Sequence, residues 1–289
     1  MSHSAIDTIL IWVLRLFAAL AGAVVVLILL FLSAESLPAL ARIGPVRFVS
    51  DAGWHPTPAA ADGLFNLLPM IWGTFFVALG AVLLAAPAGI LFAIFLHYQA
   101  PPFIAPTFRR VVEMLAGIPS VVYGFWGLVV LVPMINTLHP PGPSLLAGIL
   151  ILALMITPTI ALLADSAIGS VPEEYVRGAV SLGFSRWTTI RGVVLPAARS
   201  GLFTGVLLGC ARAVGETMAV MMVSGNVVQT PAGLFEPVRT LTANIALEMA
   251  YAMDDHAASL FVTGLFLMLV VFVLVALAER ISRGGRHAR

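Results

Sequence analysis

Of 289 residues, 60% are hydrophobic and only 10% are charged, the net charge is +1 and the mean hydropathy is +1.04. That balance excludes an ordinary soluble domain and leaves no basic surface for nucleic acid. All of its cationic residues are arginine, so a Walker A phosphate loop, which requires a lysine, cannot be present.

Apolar runs occur at 8–32, 68–96, 111–134, 145–167, 201–224 and 258–278. Each reaches the roughly 20 residues a helix needs to cross about 30 Å of hydrocarbon. None alternates as a barrel strand would, so the expected fold class is an all-α integral membrane protein with six transmembrane helices. The first run is too long for the apolar core of a cleaved signal peptide and is read as helix 1. With the N-terminus inside, Arg109, Arg110, Arg177, Arg186, Arg191 and Arg199 face the cytoplasm, together with the four arginines at 280–289. Only Arg42, Arg47 and Arg239 fall outside. The positive-inside rule therefore predicts both termini in the cytoplasm.

The organisation expected from these runs is helix 1 over 1–34, an external segment over 35–67, a core of helices 2–6 over 68–281 and a cytoplasmic tail over 282–289. The external segment is rich in Pro, Gly and aromatic residues and reads as an interfacial cap. A second external stretch, 225–256, has amphipathic helical spacing over 241–252, and the expected helix would lie across the outer mouth. In helix 3, Pro119 cannot donate to the carbonyl of Leu115, which loosens the helix and lets Ser120 and Tyr123 either pack or line a path. Glu113 is expected to pair with Arg109 or Arg110 one turn earlier. His residues are scattered, Cys210 is the single cysteine, and no nucleophile has a buried histidine beside it, so neither a metal site nor hydrolytic chemistry is expected.

Helix 5 carries Arg212-Ala213-Val214-Gly215-Glu216 inside an otherwise apolar run. A charge near the bilayer centre costs at least about 2.5–3.5 kcal/mol, so it is retained only where it faces protein or a water-filled path. The i to i+4 spacing sets Arg212 and Glu216 on one helical face, where they either brace the helix as an ion pair or meet a polar solute together. Counted from Gly201, Arg212 falls near the bilayer midplane.

The internal loop 168–200 is patterned rather than flexible. Pro172 suits a first helical turn, Glu173 and Glu174 follow where a helix dipole favours acids, Gly183 ends that helix, and Ser185 caps a second one ending before Leu195-Pro196. An interfacial hairpin without a partner would also accommodate this pattern.

The loop resembles the coupling loop of ABC importer permeases: Ala179, Gly183, Leu195 and Pro196 fall on that pattern, while Arg177 and Gly178 stand where the family has Glu and Ala. The stretches 116–127 and 211–220, with Gly-Glu-Thr-Met-Ala-Val starting at Gly215, look like the permeases of the phosphate-specific system, PstC type. The resemblance covers helices 2–6, about three quarters of the chain. It implies a type I, MetI-like core that imports inorganic phosphate by alternating access. Arg212, Glu216, Thr217, Ser120 and Tyr123 would lie on the substrate path, and Glu173, Glu174, Arg177, Gly178, Ala179, Gly183, Leu195 and Pro196 would contact the ATPase. Its implied partners are a homologous second permease (PstA type), two cytoplasmic ATPases (PstB type) that bind ATP and Mg, and a periplasmic phosphate-binding protein (PstS type). No cofactor is expected on this chain. Alternatives are a sulfate or molybdate permease, or a membrane enzyme acting on a lipid phosphate.

Overall fold

The structure is a computed structural model that describes residues 3–286, with side chains over 7–281. The tail arginines beyond 281 therefore have side chains outside the described residues. Six helices are long and apolar enough to cross a membrane: Asp7–Arg42, Leu68–Tyr98, Ser120–Leu138, Leu145–Gly169, Arg186–Gly215 and Asp254–Ile281. The chain divides into two compact units. One holds the residues up to Asn66 together with Met249–Phe266, and the other holds Leu67–Glu248 and the chain from Leu267 onward.

In the first unit, α1 (His3–Arg42) continues beyond the expected end at 34 and carries Pro38 within it. Its apolar side chains, Trp12, Phe17, Leu27 and Leu30 among them, are exposed, as suits a surface solvated by lipid. The external segment is an ordered lobe: α2 (Arg47–Ser50), then β1 (Trp54–His55) antiparallel to β2 (Leu64–Phe65), with Trp54 opposite Phe65. Phe48, Trp54 and Phe65 bury their rings together, with Phe65 6.2 Å from Phe48 and 6.3 Å from Trp54. Arg47 fastens the lobe by pairing with Asp51 at 3.1 Å and donating to the carbonyls of Ala60 and Gly63. Arg42 pairs with Asp255 at 3.0 Å.

The second unit is built around α7 (Leu145–Gly169), the most buried span, which packs along α3 (Leu68–Tyr98) and α10 (Leu195–Gly215). Small residues set how closely these helices approach. A Cβ on Gly89 would lie 2.9 Å from the Ala161 backbone nitrogen, and one on Gly209 would lie 2.7 Å from Ile160, so neither position admits a side chain without a shift.

The third apolar run differs from its expected form. Rather than one helix from 111, α4 (Ala105–Ala116) is a separate amphipathic helix, the chain breaks at Gly117-Ile118-Pro119, and the span begins with α5 (Ser120–Trp126). A π turn over Gly127–Leu131 leads into α6 (Val132–Leu138) and completes the span. Arg109, Arg110 and Glu113 lie on α4 rather than in the span, so the charges are not drawn into hydrocarbon.

On the loop side, α8 (Glu173–Ser181) and α9 (Arg186–Thr189) form as expected, but the second short helix does not stop before Leu195. A π turn over Ile190–Val194 carries it into α10, giving one continuous helix from Arg186 to Gly215. The wider turn places the Leu195 N–H on the Ile190 carbonyl, one residue beyond the α-helical partner, just ahead of Pro196. The same device precedes Pro133 in α6. A proline ring that would otherwise be driven into the carbonyl four residues back is accommodated in this way. The remaining elements are α11 (Met218–Val223), α12 (Leu241–Glu248) and α13 (Asp254–Arg286). α12 is shorter than the expected 241–252 and is packed rather than surface-lying, with Leu241, Ala243, Asn244 and Glu248 buried.

Candidate functional site

The expected ionic pair of helix 5 is not a pair in the structure. α10 ends at Gly215, and Glu216 is extended, with φ −71° and ψ 130°. Its side chain turns forward: Oε1 accepts from the Ala219 backbone N–H at 3.1 Å and caps α11. The Glu216 carbonyl accepts from the Thr242 hydroxyl at 2.8 Å, so α12 braces the break. Arg212 lies in the last turn of α10, where a cation is favoured by the unpaired carbonyls of the helix end. Its Nη1 donates to the Thr159 hydroxyl of α7 at 3.2 Å. Among the described residues no carboxylate pairs with it, and its side chain is exposed on this chain. The i to i+4 argument fails because it presumes one unbroken helix through Gly215. The depth counted from Gly201 is also revised, since the helix begins at Arg186 and Arg212 stands close to its far end. Thr217 sits in the break and donates to the Gly215 carbonyl at 3.4 Å.

The second break is closed by a side chain. Tyr123 is buried, and its hydroxyl donates at 2.9 Å to the carbonyl of Leu115, the acceptor that Pro119 cannot serve. Tyr123 thus ties α5 to α4 across the break, within electrostatic reach of Arg212. Ser120 is the first residue of α5 and is half-buried.

The loop after α7 has the geometry that its sequence suggests. Gly183 has φ +80°, a left-handed conformation that L side chains rarely adopt, and the N–H groups of Gly183 and Phe184 return to the carbonyls of Val180 and Ala179 at 2.9 and 3.1 Å. Ser185 Oγ accepts from the Thr188 N–H at 3.2 Å, so the expected cap forms. Glu173 pairs with Arg177 on the exposed face of α8, beside exposed Glu174. Gly178 faces open space and Ala179 is buried, while Leu195 is half-buried and Pro196 exposed. Around them Tyr175, Val180, Leu182, Phe184 and Trp187 stand exposed, with Leu182 77% exposed. Five large apolar residues gathered on one short helical loop form a surface suited to a protein partner.

One cluster escapes sequence reasoning. Arg109 does not turn to Glu113; its Nε and Nη2 reach both carboxylate oxygens of Asp165 in α7, at 2.8 and 3.0 Å. His97, near the end of α3, brings Nε2 to 2.8 Å from the same carboxylate. The hydrogen bond to Asp165 raises the Arg109 pKa, with burial opposing and the Asp165 and Glu113 charges adding to the rise. Three helices therefore meet on one carboxylate a few residues before α8. Asparagine removes the charge and sets an N–H2 donor where one of the two acceptor oxygens stood, so Asp165→Asn is expected to lower the melting temperature of the purified protein by several degrees. Arg109→Lys, which keeps the charge but loses the fork, is expected to lower it less. An unchanged melting temperature in Asp165→Asn would show the cluster to be dispensable. A pairing across 56 residues has no local signature, and the only available hint was an aspartate inside an apolar run.

Residues 85–287 match the family described as the binding-protein-dependent transport system inner membrane component. The chain belongs to that family, the permeases of ABC importers. The permease is 41% identical over 244 residues, 83% of its length and 78% of the relative's, to a probable ABC transporter permease protein YqgH of Bacillus subtilis. It is 36% identical over 286 residues, 90% of its length and 86% of the relative's, to the phosphate transport system permease protein PstC of Mesorhizobium japonicum. Its fold matches a chain of the MetNI methionine ABC transporter in an inward-facing conformation with a TM-score of 0.56 and 19% identity, over 76% of this chain and 94% of that one. The permease thus has the MetI-like architecture expected of it. It is a multi-pass membrane protein and a transport subunit.

Proposed function

We propose that this permease is the PstC-type membrane subunit of an ATP-driven importer of inorganic phosphate. The observation that carries the reading is 36% identity over 90% of the chain to a permease named for phosphate transport. The site agrees with it chemically: Arg212 presents an exposed guanidinium without a carboxylate partner among the described residues, and arginine meets phosphate oxygens through a planar fork of donors. Phosphate delivered by a periplasmic PstS-type protein enters a cavity shared with a PstA-type permease, and two PstB-type ATPases, holding ATP and Mg, drive alternating access from the α8–α9 surface. The termini and this surface face the cytoplasm across a bacterial inner membrane, in keeping with the arginine distribution. Ser120 and Thr217 line the path beside Arg212. In this reading Glu216 acts as an acceptor near the path through the oxygen not used for capping.

Expression with its candidate partner subunits in cells lacking high-affinity phosphate uptake tests the proposal. Labelled phosphate should accumulate at low external concentration, and an ATPase and a second permease should co-purify. Accumulation of sulfate or molybdate without phosphate would overturn the substrate assignment.

A further inference from the structure

Thr159 stands out because of what its hydroxyl does not do. In the interior of a helix, a threonine hydroxyl commonly donates back to the carbonyl four residues earlier. Thr157 does so, donating to Ala153 at 2.7 Å. Thr159, two residues on and so on a different face of α7, instead receives the Arg212 Nη1–H at 3.2 Å. Its oxygen is an acceptor in that bond, and the structure gives its own O–H proton no acceptor among the described residues. The remaining guanidinium donors of Arg212 are similarly uncommitted. Donors of two helices thus converge on one place, with Arg212 held from the side by Thr159 and no carboxylate competing for either.

We propose that Thr159 positions Arg212 for the transported oxyanion and supplies a second donor to it, so that α7 and α10 together form the anion-contacting site. The inference rests on the phosphate-import reading and adds a residue to it. The chemistry it demands is a tetrahedral oxyanion with several acceptor oxygens: two are met by N–H donors of the Arg212 fork and a third by the Thr159 hydroxyl, which rotates freely about its C–O bond. The hydroxyl also limits the rotamers of a long side chain at a helix end, where an untethered guanidinium would sample many orientations and lose entropy on binding. A tether that accepts one N–H without neutralising the charge leaves the positive potential intact, which a carboxylate in the same place would not.

The test compares Thr159→Val, which keeps the shape and removes the hydroxyl, with Thr159→Ser, which keeps the hydroxyl and removes a methyl group. Both are measured in the assembled transporter reconstituted in liposomes, with phosphate uptake resolved into KM and maximal rate. Thr159→Val is expected to raise KM about tenfold, the loss of one hydrogen bond to a charged group, while Thr159→Ser stays within about twofold of the parent. In an Arg212→Lys background the effect of Thr159→Val should largely vanish, because the group it orients is gone. A purely structural role would instead lower yield or maximal rate in both variants and persist in the Arg212→Lys background. Unchanged KM in Thr159→Val with a parent that imports phosphate overturns the role of Thr159 and leaves the transport reading standing. A parent complex that assembles but imports no phosphate overturns both.

Discussion

Arg212→Gln is expected to bring phosphate uptake to background while the assembled complex persists in the membrane. Glutamine preserves much of the length but removes the charge and the fork. A charge-assisted two-point contact is worth about 3 kcal/mol, or roughly a hundredfold in binding. Assembly should survive because Arg212 makes no ion pair among the described residues, and its hydrogen bond is to the neutral hydroxyl of Thr159. Arg212→Lys should retain partial uptake, since a point charge attracts the anion but cannot match two oxygens in a plane. The separate position of Glu216 makes a companion variant informative. The amide oxygen of Glu216→Gln can still accept from Ala219 and keep the α11 cap, so a change in uptake there reports on charge rather than on the break. Wild-type uptake by an assembled Arg212→Gln complex would show that the anion passes elsewhere.

The second large effect is expected on the exposed α8–α9 loop. Gly183→Trp should insert into the membrane yet lose uptake and retain little ATPase, but at φ +80° any L side chain also strains the turn, by about 1–2 kcal/mol. Gly178 separates the two causes. It is helical and exposed, and a Cβ added there meets nothing within 4 Å on this chain. Gly178→Trp should therefore leave the fold unstrained and still detach the ATPase, whereas Gly183→Ala, strained but small, should weaken coupling without abolishing it. ATPase retained at the parent level by Gly178→Trp, with normal uptake, would remove α8 from the docking surface.

How far the fold could be read from the sequence follows from the range of the forces that shape it. The six spans were legible because each is a run of hydrocarbon length, and the α8 boundaries because Pro172, Gly183 and Ser185 act on backbone within a few residues. Pro119 announced a break, although not that Tyr123 would close it. The end of α10 at Gly215 was harder to see, since Met218–Val223 is apolar and reads as more of the same helix; a glycine followed by Glu-Thr was the available signal of one helix ending and another being capped. Continuity through Pro196 was hidden for the opposite reason. A proline usually marks a stop, and here the extra residue of a π turn just ahead of it lets the helix run on. Thr159 and Asp165 draw their roles from partners 53 and 56 residues away, which no periodicity reports.

That extra residue also sets an angle. Successive residues of an α-helix are about 100° apart around its axis, and the wider turn at Ile190–Val194 takes up one residue that a regular helix would express as a swing of every later side chain by that amount. From there the helix runs without interruption to Gly215, with Arg212 in its last turn. The hydrogen-bonding pattern at the loop end thereby sets the bearing at the far end, as in a shaft keyed at one end. Closing the turn to α geometry with no residue removed would aim the guanidinium away from Thr159 without altering any residue near either of them.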